Sequence, residues 1–171
     1  MKVTIRQIAA RTGLSPITVS RVLGDKSDKH RPETRERVLR AAEELGYRIN
    51  TAARAISTGR FGSVALLMST EGSFSYLPGP LMDGIQEVLE EQDLHLTVAR
   101  LSDEKLTDAE YVPQILREWT ADGVLINYHF HIPGRLIELV RRYNVPSIWI
   151  NSKQECNSVH PDDFGAGRRA A

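Results

Sequence analysis

The N-terminal third of the chain carries short apolar stripes at helical spacing, each framed by capping residues. The first stripe starts at Ile5 and recurs three and four positions later, which buries one face of a helix. Thr4 and Gln7 have the spacing of a capping box, and Gly13 follows as a C-terminal stop. The pattern predicts a helix over residues 5–12.

A second short helix is predicted directly after the first. Ser15 is a good N-cap, and Pro16 stands at the first helical position, where its missing N–H costs nothing. Val19 and Val22 are predicted to face inward, and Gly24 ends the segment. Two short helices joined by a turn of about three residues form a helix-turn-helix arrangement.

A third helix is predicted to begin near Pro32 and to stop at Gly46, since proline favours the first turn and glycine the end. Its predicted buried stripe consists of Val38, Leu39, Ala42 and Leu45. Three short, well-capped helices make a very small core, of the kind found in DNA-binding modules.

A fourth, marginal helix is predicted between Asn50 and Ser57. It starts with a good N-cap, continues with small helix formers and then meets Gly59. A segment of this length is too short to be a stable helix alone in water. By composition alone, a plain linker is the alternative.

From Ser63 onward the pattern changes to alternating strands and helices. Val64 to Met68 is a continuous apolar run, as expected of a strand that is covered on both faces. Helices are then predicted at 81–91, 109–119 and 132–143, and strands at 94–98, 123–127 and 145–150. The first of these helices is predicted to bury Met82, Ile85, Val88 and Leu89. This alternation predicts a parallel sheet with right-handed crossovers.

The composition is that of an ordinary globular chain, with 41% hydrophobic and 26% charged residues. No apolar run approaches the roughly 18 residues that span a bilayer, and the first residues contain no signal-peptide stretch. The single cysteine, Cys156, excludes an internal disulfide and a multi-cysteine zinc site. We therefore expect a cytoplasmic protein that makes no membrane contact.

The formal net charge is zero, but the charges are divided unevenly along the chain. Residues 1–60 contain 13 Lys and Arg against 6 Asp and Glu, an excess of seven positive charges. Residues 61–171 carry the matching excess of seven negative charges. A basic N-terminal part suits a polyanion and the acidic remainder does not, which indicates two roles in one chain.

The helix-turn-helix from Thr4 to Leu23 continues into Thr34 to Val38, Glu44 to Tyr47, Asn50, and Ala53 to Ile56. This combination of motifs and spacings closely resembles the lactose-repressor (LacI/GalR) family of bacterial transcription regulators. The resemblance implies a repressor in the bacterial nucleoid that binds a palindromic double-stranded operator as a homodimer. A generic three-helix bundle without DNA binding is the alternative.

The resemblance assigns the recognition helix, which enters the major groove, to Ser15 through Leu23. It implies that Pro16, Ile17 and Arg21 contact bases, with Arg21 able to reach O6 and N7 of a guanine. Phosphate or mixed contacts are expected of Thr4, Ser15, Thr18 and Ser20.

For the fourth helix, the resemblance implies a hinge that folds when two copies meet on DNA. Asn50 and Ala53 then belong to the DNA-binding residues, and Ala53 is small enough for two hinges to approach each other. Ile56 occupies the position of the apolar wedge that enters the minor groove, where leucine is usual in the family.

Polar loops follow three of the predicted strands, and ligands of open parallel sheets bind beyond the carboxyl ends of the strands. These loops supply Ser69, Phe74, Asn127 and Asn151 as candidate effector contacts. Their composition suits a sugar, a nucleoside or another small polar effector. The family that the chain resembles uses the same loops in its periplasmic-binding-protein-like sensor domain. Ordinary capping of strand ends is the alternative.

Signs of catalysis are sparse. No dinucleotide fingerprint or P-loop follows the first strand. His129 and His131 lack an evident third metal ligand, and Cys156 and His160 show no activating arrangement. We expect no catalytic residue, no metal and no cofactor. The competing hypothesis is a small-molecule-binding or enzymatic α/β protein whose helical N-terminus docks partners.

We predict three parts: an α-helical helix-turn-helix domain over residues 1–48, a hinge over 49–60, and an α/β parallel-sheet sensor lobe over 61–171. The resemblance implies a second sensor lobe, which this sequence does not contain. Residues 162–171 resemble the start of the helix that precedes the crossover to that lobe. A fragment of a longer repressor and a naturally shortened one both fit.

Overall fold

The computed structural model of the chain describes residues 3–24, 29–154, 156–162 and 168–169. Contacts between Cα atoms divide the chain into two compact units, Met1–Gly59 and Arg60–Ala171. No helix of the described residues has the length and apolar character needed to cross a membrane.

The described residues of the first unit form four α-helices: α1 (Ile5–Thr12), α2 (Pro16–Val22), α3 (Pro32–Glu44) and α4 (Thr51–Thr58). All four confirm the helices predicted from the sequence. The ends of α1 agree with the predicted residues 5–12 because capping residues next to the helix determine both of them. The Gln7 side chain accepts a hydrogen bond from the Thr4 backbone N–H at 2.8 Å, and Gly13 takes the left-handed conformation with φ 67°.

The core of the first unit lies where α1, α2 and α3 meet. Ile8, Val19 and Val38 are fully buried there, one from each helix. The predicted stripe of α3 is wrong at Leu39, which is 44% exposed, because the buried positions are Val38, Ala41 and Ala42. Leu39 lies about 100° around the helix from Val38 and therefore turns away from the core.

The second unit is a parallel sheet flanked by helices, which confirms the predicted α/β class. Its strands are β1 (Ser63–Ser69), β2 (His95–Leu101), β3 (Gly123–Asn127), β4 (Ser147–Ile150) and β5 (Ser158–Val159). Its helices are α5 (Gly79–Glu91), α6 (Gln114–Arg117) and α7 (Gly134–Arg142), with a 3-10 turn at Lys105–Thr107. The spatial order of the strands is β2-β1-β3-β4-β5, and every neighbouring pair is parallel.

Strand β1 is an interior strand of the sheet and is buried on both faces, as its apolar run predicts. Ala65 and Leu67 join the core cluster on one face, and Leu66, which points to the other face, is also fully buried. The same cluster contains Leu136 and Leu139 of α7, both fully buried. The sheet therefore fixes the carboxyl ends of β1, β3 and β4 side by side.

Two predicted helices have different bounds in the structure because of prolines. The helix predicted over 109–119 is reduced to the four residues of α6, which starts directly after Pro113. The helix predicted from residue 132 begins after Pro133 instead. Proline is tolerated at a helix start and breaks a helix interior, which explains both changes.

One apolar side chain predicted to be buried on α5 is exposed, and one strand was not predicted. Val88 of α5 is 58% exposed, while Leu89 takes the buried position on this helix. Strand β5 has only two residues and is defined by its pairing with β4. The helix start predicted over residues 162–171 lies mostly outside the described residues.

Candidate DNA-binding surface and effector site

Helix α2 is anchored on one side and open on the other. Val19 and Val22 are buried in the three-helix core. At the N-terminus, the Ser15 hydroxyl accepts a hydrogen bond from the Thr18 backbone N–H at 3.1 Å. The Ser15 and Thr18 hydroxyls also lie 2.9 Å apart. The first turn of α2 is thereby capped. The side chains of α2 other than Val19 and Val22 point away from the core.

The outer side of α2 presents Pro16, Ile17, Ser20 and Arg21, and all four are exposed. These positions are spaced i, i+1, i+4 and i+5, so they share one helical face. Ile17 is 65% exposed. An exposed apolar group beside an arginine suits the edges of base pairs, since thymine offers a methyl group and guanine two acceptors.

Thr4 lies at the N-terminus of α1 and is exposed. Its backbone N–H and its hydroxyl both donate to the Gln7 side chain, at 2.8 and 3.0 Å. The hydroxyl oxygen keeps free lone pairs, so the capping role leaves Thr4 able to accept one more hydrogen bond.

Helix α4 is capped at both ends and exposes its predicted wedge. The Asn50 side-chain oxygen accepts from the Ala53 backbone N–H at 3.3 Å, and Gly59 ends the helix with φ 71°. Ala53 is exposed, whereas Ala55 is buried. Ile56 is 90% exposed, the largest exposure among the large apolar side chains of the described residues.

A groove of about 910 Å³ runs along the first unit between the helix-turn-helix and α4. Five of the predicted DNA-binding residues line it: Thr4, Ser20, Arg21, Asn50 and Ala53. The other five, Ser15, Pro16, Ile17, Thr18 and Ile56, do not line it.

Three arginines that the sequence pattern did not single out also line the groove: Arg6 of α1, Arg48, and Arg54 of α4. Together with Arg21 they give the groove four positive charges, and no acidic residue is among its described lining residues. Such a surface favours a polyanion electrostatically. The excess of basic residues before residue 61 was the only sequence signal for it.

In the second unit, the Ser69 side chain is bound within the chain. Ser69 is almost fully buried at the end of β1. Its hydroxyl donates to the Asp103 carboxylate and accepts from the Glu71 backbone N–H. Tyr128 donates to the same carboxylate at 2.9 Å, and burial together with Asp103 raises the pKa of the Tyr128 hydroxyl well above its ordinary value.

Asn127 and Asn151 are joined to each other at the ends of β3 and β4. The Asn151 side-chain amide donates to the Asn127 side-chain oxygen at 2.8 Å. Asn127 is fully buried and donates to the backbone oxygens of Ser75 and Tyr76 at 3.1 and 3.3 Å. The structure thus brings both candidates together as a capping network, and Asn151 alone remains half-buried.

Phe74 is the candidate effector residue with an accessible ring. It is half-buried and lies 5.1 Å from the His131 ring, measured between centroids. Tyr76 and Phe130, which are 64% and 63% exposed, come from the same two loops. Among the described residues, the buried His129 Nε2 and Ser152 Oγ atoms have no hydrogen-bond partner. This strand-end region combines aromatic faces with polar atoms, as sites for small polar ligands do.

Among the described residues, no group of three or more His, Cys, Asp or Glu side chains is arranged to hold a metal ion. Cys156 is exposed.

The fold and these surfaces define a two-unit class of protein. In this class, a helix-turn-helix unit with an arginine-lined groove is joined in one chain to a parallel α/β unit with polar and aromatic strand ends. Comparison with known proteins finds the same combination. Residues 4–50 match the family model described as "Bacterial regulatory proteins, lacI family".

The chain is 34% identical over 179 residues to the HTH-type transcriptional regulator AglR of Rhizobium meliloti (strain 1021), covering all of this chain and 49% of the relative. A crystal structure of a LacI-family transcriptional regulator from Silicibacter pomeroyi matches 98% of this chain and 50% of its own, with a TM-score of 0.68 and 28% identity. The lac repressor dimer bound to operator and the anti-inducer ONPF shares the fold, with a TM-score of 0.71 at 20% identity over 99% of this chain and 53% of its own.

Over residues 4–50 by family model, and over its whole length by relatives, the chain is similar to the lacI family of bacterial regulatory proteins. It spans about half the length of the curated relatives that it matches.

Proposed function

We propose that the protein is a sequence-specific DNA-binding transcription regulator with a repressor role, rather than an enzyme. It binds a palindromic operator as a homodimer in the bacterial cytoplasm, at the nucleoid. Residues 1–48 form the DNA-binding domain, residues 49–60 the hinge, and residues 61–171 the effector-binding lobe.

The observation that carries this proposal is the outer face of α2. Its inward valines fix the helix to the core, while Pro16, Ile17 and Arg21 stand exposed on the opposite side. In a helix-turn-helix, this face of the second helix enters the major groove and contacts base edges. Four further residues close to this face in the sequence are proposed to contact the adjacent phosphates: Thr4, Ser15, Thr18 and Ser20.

The groove beside α4 supports the same function. Its four arginines give the electrostatic attraction to phosphates that underlies DNA affinity. The exposed Ile56 and Ala53 of α4, with Asn50 as the N-cap of that helix, support a hinge that enters the minor groove.

The effector is a small polar molecule such as a sugar or a nucleoside, and its site lies at the carboxyl ends of β1, β3 and β4. Phe74 provides an accessible ring there, and Asn151 a half-buried amide. Ser69 and Asn127 belong to the same proposed site, where their internal hydrogen bonds hold the loops in place.

Selection from a random pool of double-stranded oligonucleotides tests this function and identifies the operator sequence in the same experiment. The full chain is expected to enrich a palindromic sequence, because each protomer of a dimer binds one half-site. Gel shifts with the selected DNA at two salt concentrations should show a steep loss of affinity with salt and a sequence preference that persists. Unselected DNA of the same length is the control. Failure to enrich any sequence would overturn the proposal.

A further inference from the structure

At the start of strand β1, three consecutive backbone N–H groups point at one carboxylate. Asp122 Oδ1 accepts from Phe61 at 2.8 Å. Its Oδ2 accepts from Gly62 at 2.8 Å and from Ser63 at 3.4 Å. Hydrogen bonds to an ionised acceptor are roughly twice as strong as neutral ones, so this contact is a strong anchor for the segment Phe61–Ser63.

The same segment is held by further bonds on both sides of β1. The Asp122 backbone N–H donates to the Ser63 oxygen at 2.8 Å, and the Ser63 hydroxyl donates to the Thr120 oxygen at 3.0 Å. From β2, the His95 backbone N–H donates to the Gly62 oxygen at 2.9 Å. Gly62 has φ 68°, a conformation that glycine adopts without strain. The segment is therefore fixed before the strand itself begins.

This anchor shortens the connection between the two units. The first unit ends at Gly59, which caps α4, and the second begins at Arg60. With Phe61–Ser63 bound to Asp122, the stretch between the C-cap of α4 and this anchored segment is short. Without the carboxylate, the three N–H groups would lose their shared acceptor, and the segment would be held less tightly, by the remaining bonds of Gly62 and Ser63.

We propose that Asp122 is a positioning residue for DNA recognition: it clamps Phe61–Ser63 and thereby sets the half-site spacing that a dimer accepts. This inference rests on the proposed function. A short, stiff connection admits one separation of two binding modules, whereas a longer, flexible one tolerates several.

Two variants and one matched control test the clamp in the full chain. Asp122→Asn keeps the shape of the side chain but replaces one acceptor oxygen with a donor, which opposes the N–H groups. Asp122→Glu keeps the charge and displaces the carboxylate, and it serves if Asp122→Asn does not fold. Asp108→Asn is the control, since the Asp108 carboxylate accepts a single backbone N–H, from Glu110 at 2.8 Å.

The first readout is the affinity for the selected palindrome and for versions with one base pair added or removed at its centre. The Asp122 variants should reduce the preference for the original spacing by at least roughly threefold, because the connection is more flexible. Asp108→Asn should leave the preference unchanged. Equal loss of affinity at every spacing would show a merely stabilising role and would overturn the proposal.

The second readout does not need DNA. Trypsin should cut after Arg60 faster in the Asp122 variants than in the wild type, because cleavage requires local opening of the bound segment. If the wild type selects no DNA sequence, the proposed function fails, while this digestion still tests the clamp. Unchanged cleavage rates would overturn the clamp, and faster cleavage with an unchanged spacing preference would overturn its positioning role.

Discussion

In the proposed function, the exposed face of the seven-residue helix α2 provides the chemistry for base recognition. Arg21 is its only charged member, and it also lines the groove beside α4. The side chains of its neighbours Pro16 and Ile17 cannot donate hydrogen bonds, so the contacts proposed for them are apolar contact and exclusion. In the proposed function, hydrogen-bonded discrimination between bases on this face therefore depends most strongly on the Arg21 guanidinium.

Arg21→Ala is expected to reduce the preference for the selected operator over unrelated DNA by about 1–3 kcal/mol, because the bidentate contact to a guanine is lost. Salt-sensitive binding to unrelated DNA should persist, since the other basic residues remain. Competitive gel shifts with operator and unrelated DNA measure both effects.

Arg40→Ala is the matched control for the removal of one positive charge from the same unit. Arg40 is an exposed residue of α3 that pairs with Glu36. Arg40→Ala should leave the sequence preference intact. If Arg21→Ala reduced the affinity equally for all DNA sequences, this result would contradict the assigned contact.

At the scale of elements, α4 combines a well-formed cap with a poorly buried body. Asn50 and Gly59 define its ends, but Ala55 is the single buried residue along its length. A helix of eight residues gains little stability from its own hydrogen bonds. Its large apolar residue, Ile56, makes few contacts within the chain, which suits a side chain that is buried only in a complex.

Ile56→Ala should lower operator affinity and the bend angle of the bound DNA, because the wedge between base steps is lost. The helix itself should persist, since alanine has the higher helix propensity. Permuted-fragment gel shifts measure the bend. Ile148→Ala, at a 45% exposed isoleucine of β4, is the control and should change neither quantity. An unchanged bend with Ile56→Ala would count against the wedge.

At the scale of the whole molecule, the two units have separate cores and opposite charges. The cluster around Ile8 and Val38 shares no residue with the cluster around Leu67 and Ile126. Both tryptophans, Trp119 and Trp149, lie in the second unit, so fluorescence reports on that unit alone. Unfolding of the second unit should therefore change the tryptophan fluorescence, and this signal does not depend on unfolding of the first unit.

Tyr128 gives the second unit an alkaline stability limit. Its pKa is raised in the folded state above the ordinary 10.0. The unfolded chain therefore loses the proton first, and the free energy of unfolding should fall as the pH rises above about 10. Below that pH the contribution is complete.

Tyr128→Phe should cost about 1 kcal/mol at pH 7, from the lost hydrogen bond to Asp103, and should weaken the alkaline dependence. Urea unfolding followed by tryptophan fluorescence measures this between pH 7 and about 11. Tyr76→Phe, at a 64% exposed tyrosine, is the control and should retain the wild-type pH profile. An alkaline dependence that survives Tyr128→Phe would contradict the role of Tyr128.

Features fixed by neighbouring residues were predictable from the sequence. The bounds of α1 follow from Thr4, Gln7 and Gly13, all within a few positions of the helix. The burial of β1 on both faces follows from its apolar run, and the resemblance to the lacI family follows from motifs at fixed spacing. In contrast, the reduced length of α6 shows that a proline overrides an apolar pattern that continues across it.

Local periodicity and capping in the sequence thus determined the two-part chain, the helix-turn-helix and the parallel sheet. Only the tertiary structure decided which polar side chains are used internally. Asp122 lies 59 to 61 positions from the N–H groups that it binds, and Asn127 lies 24 from Asn151. No spacing rule reports such pairs, because they exist only where the sheet brings distant strand ends together.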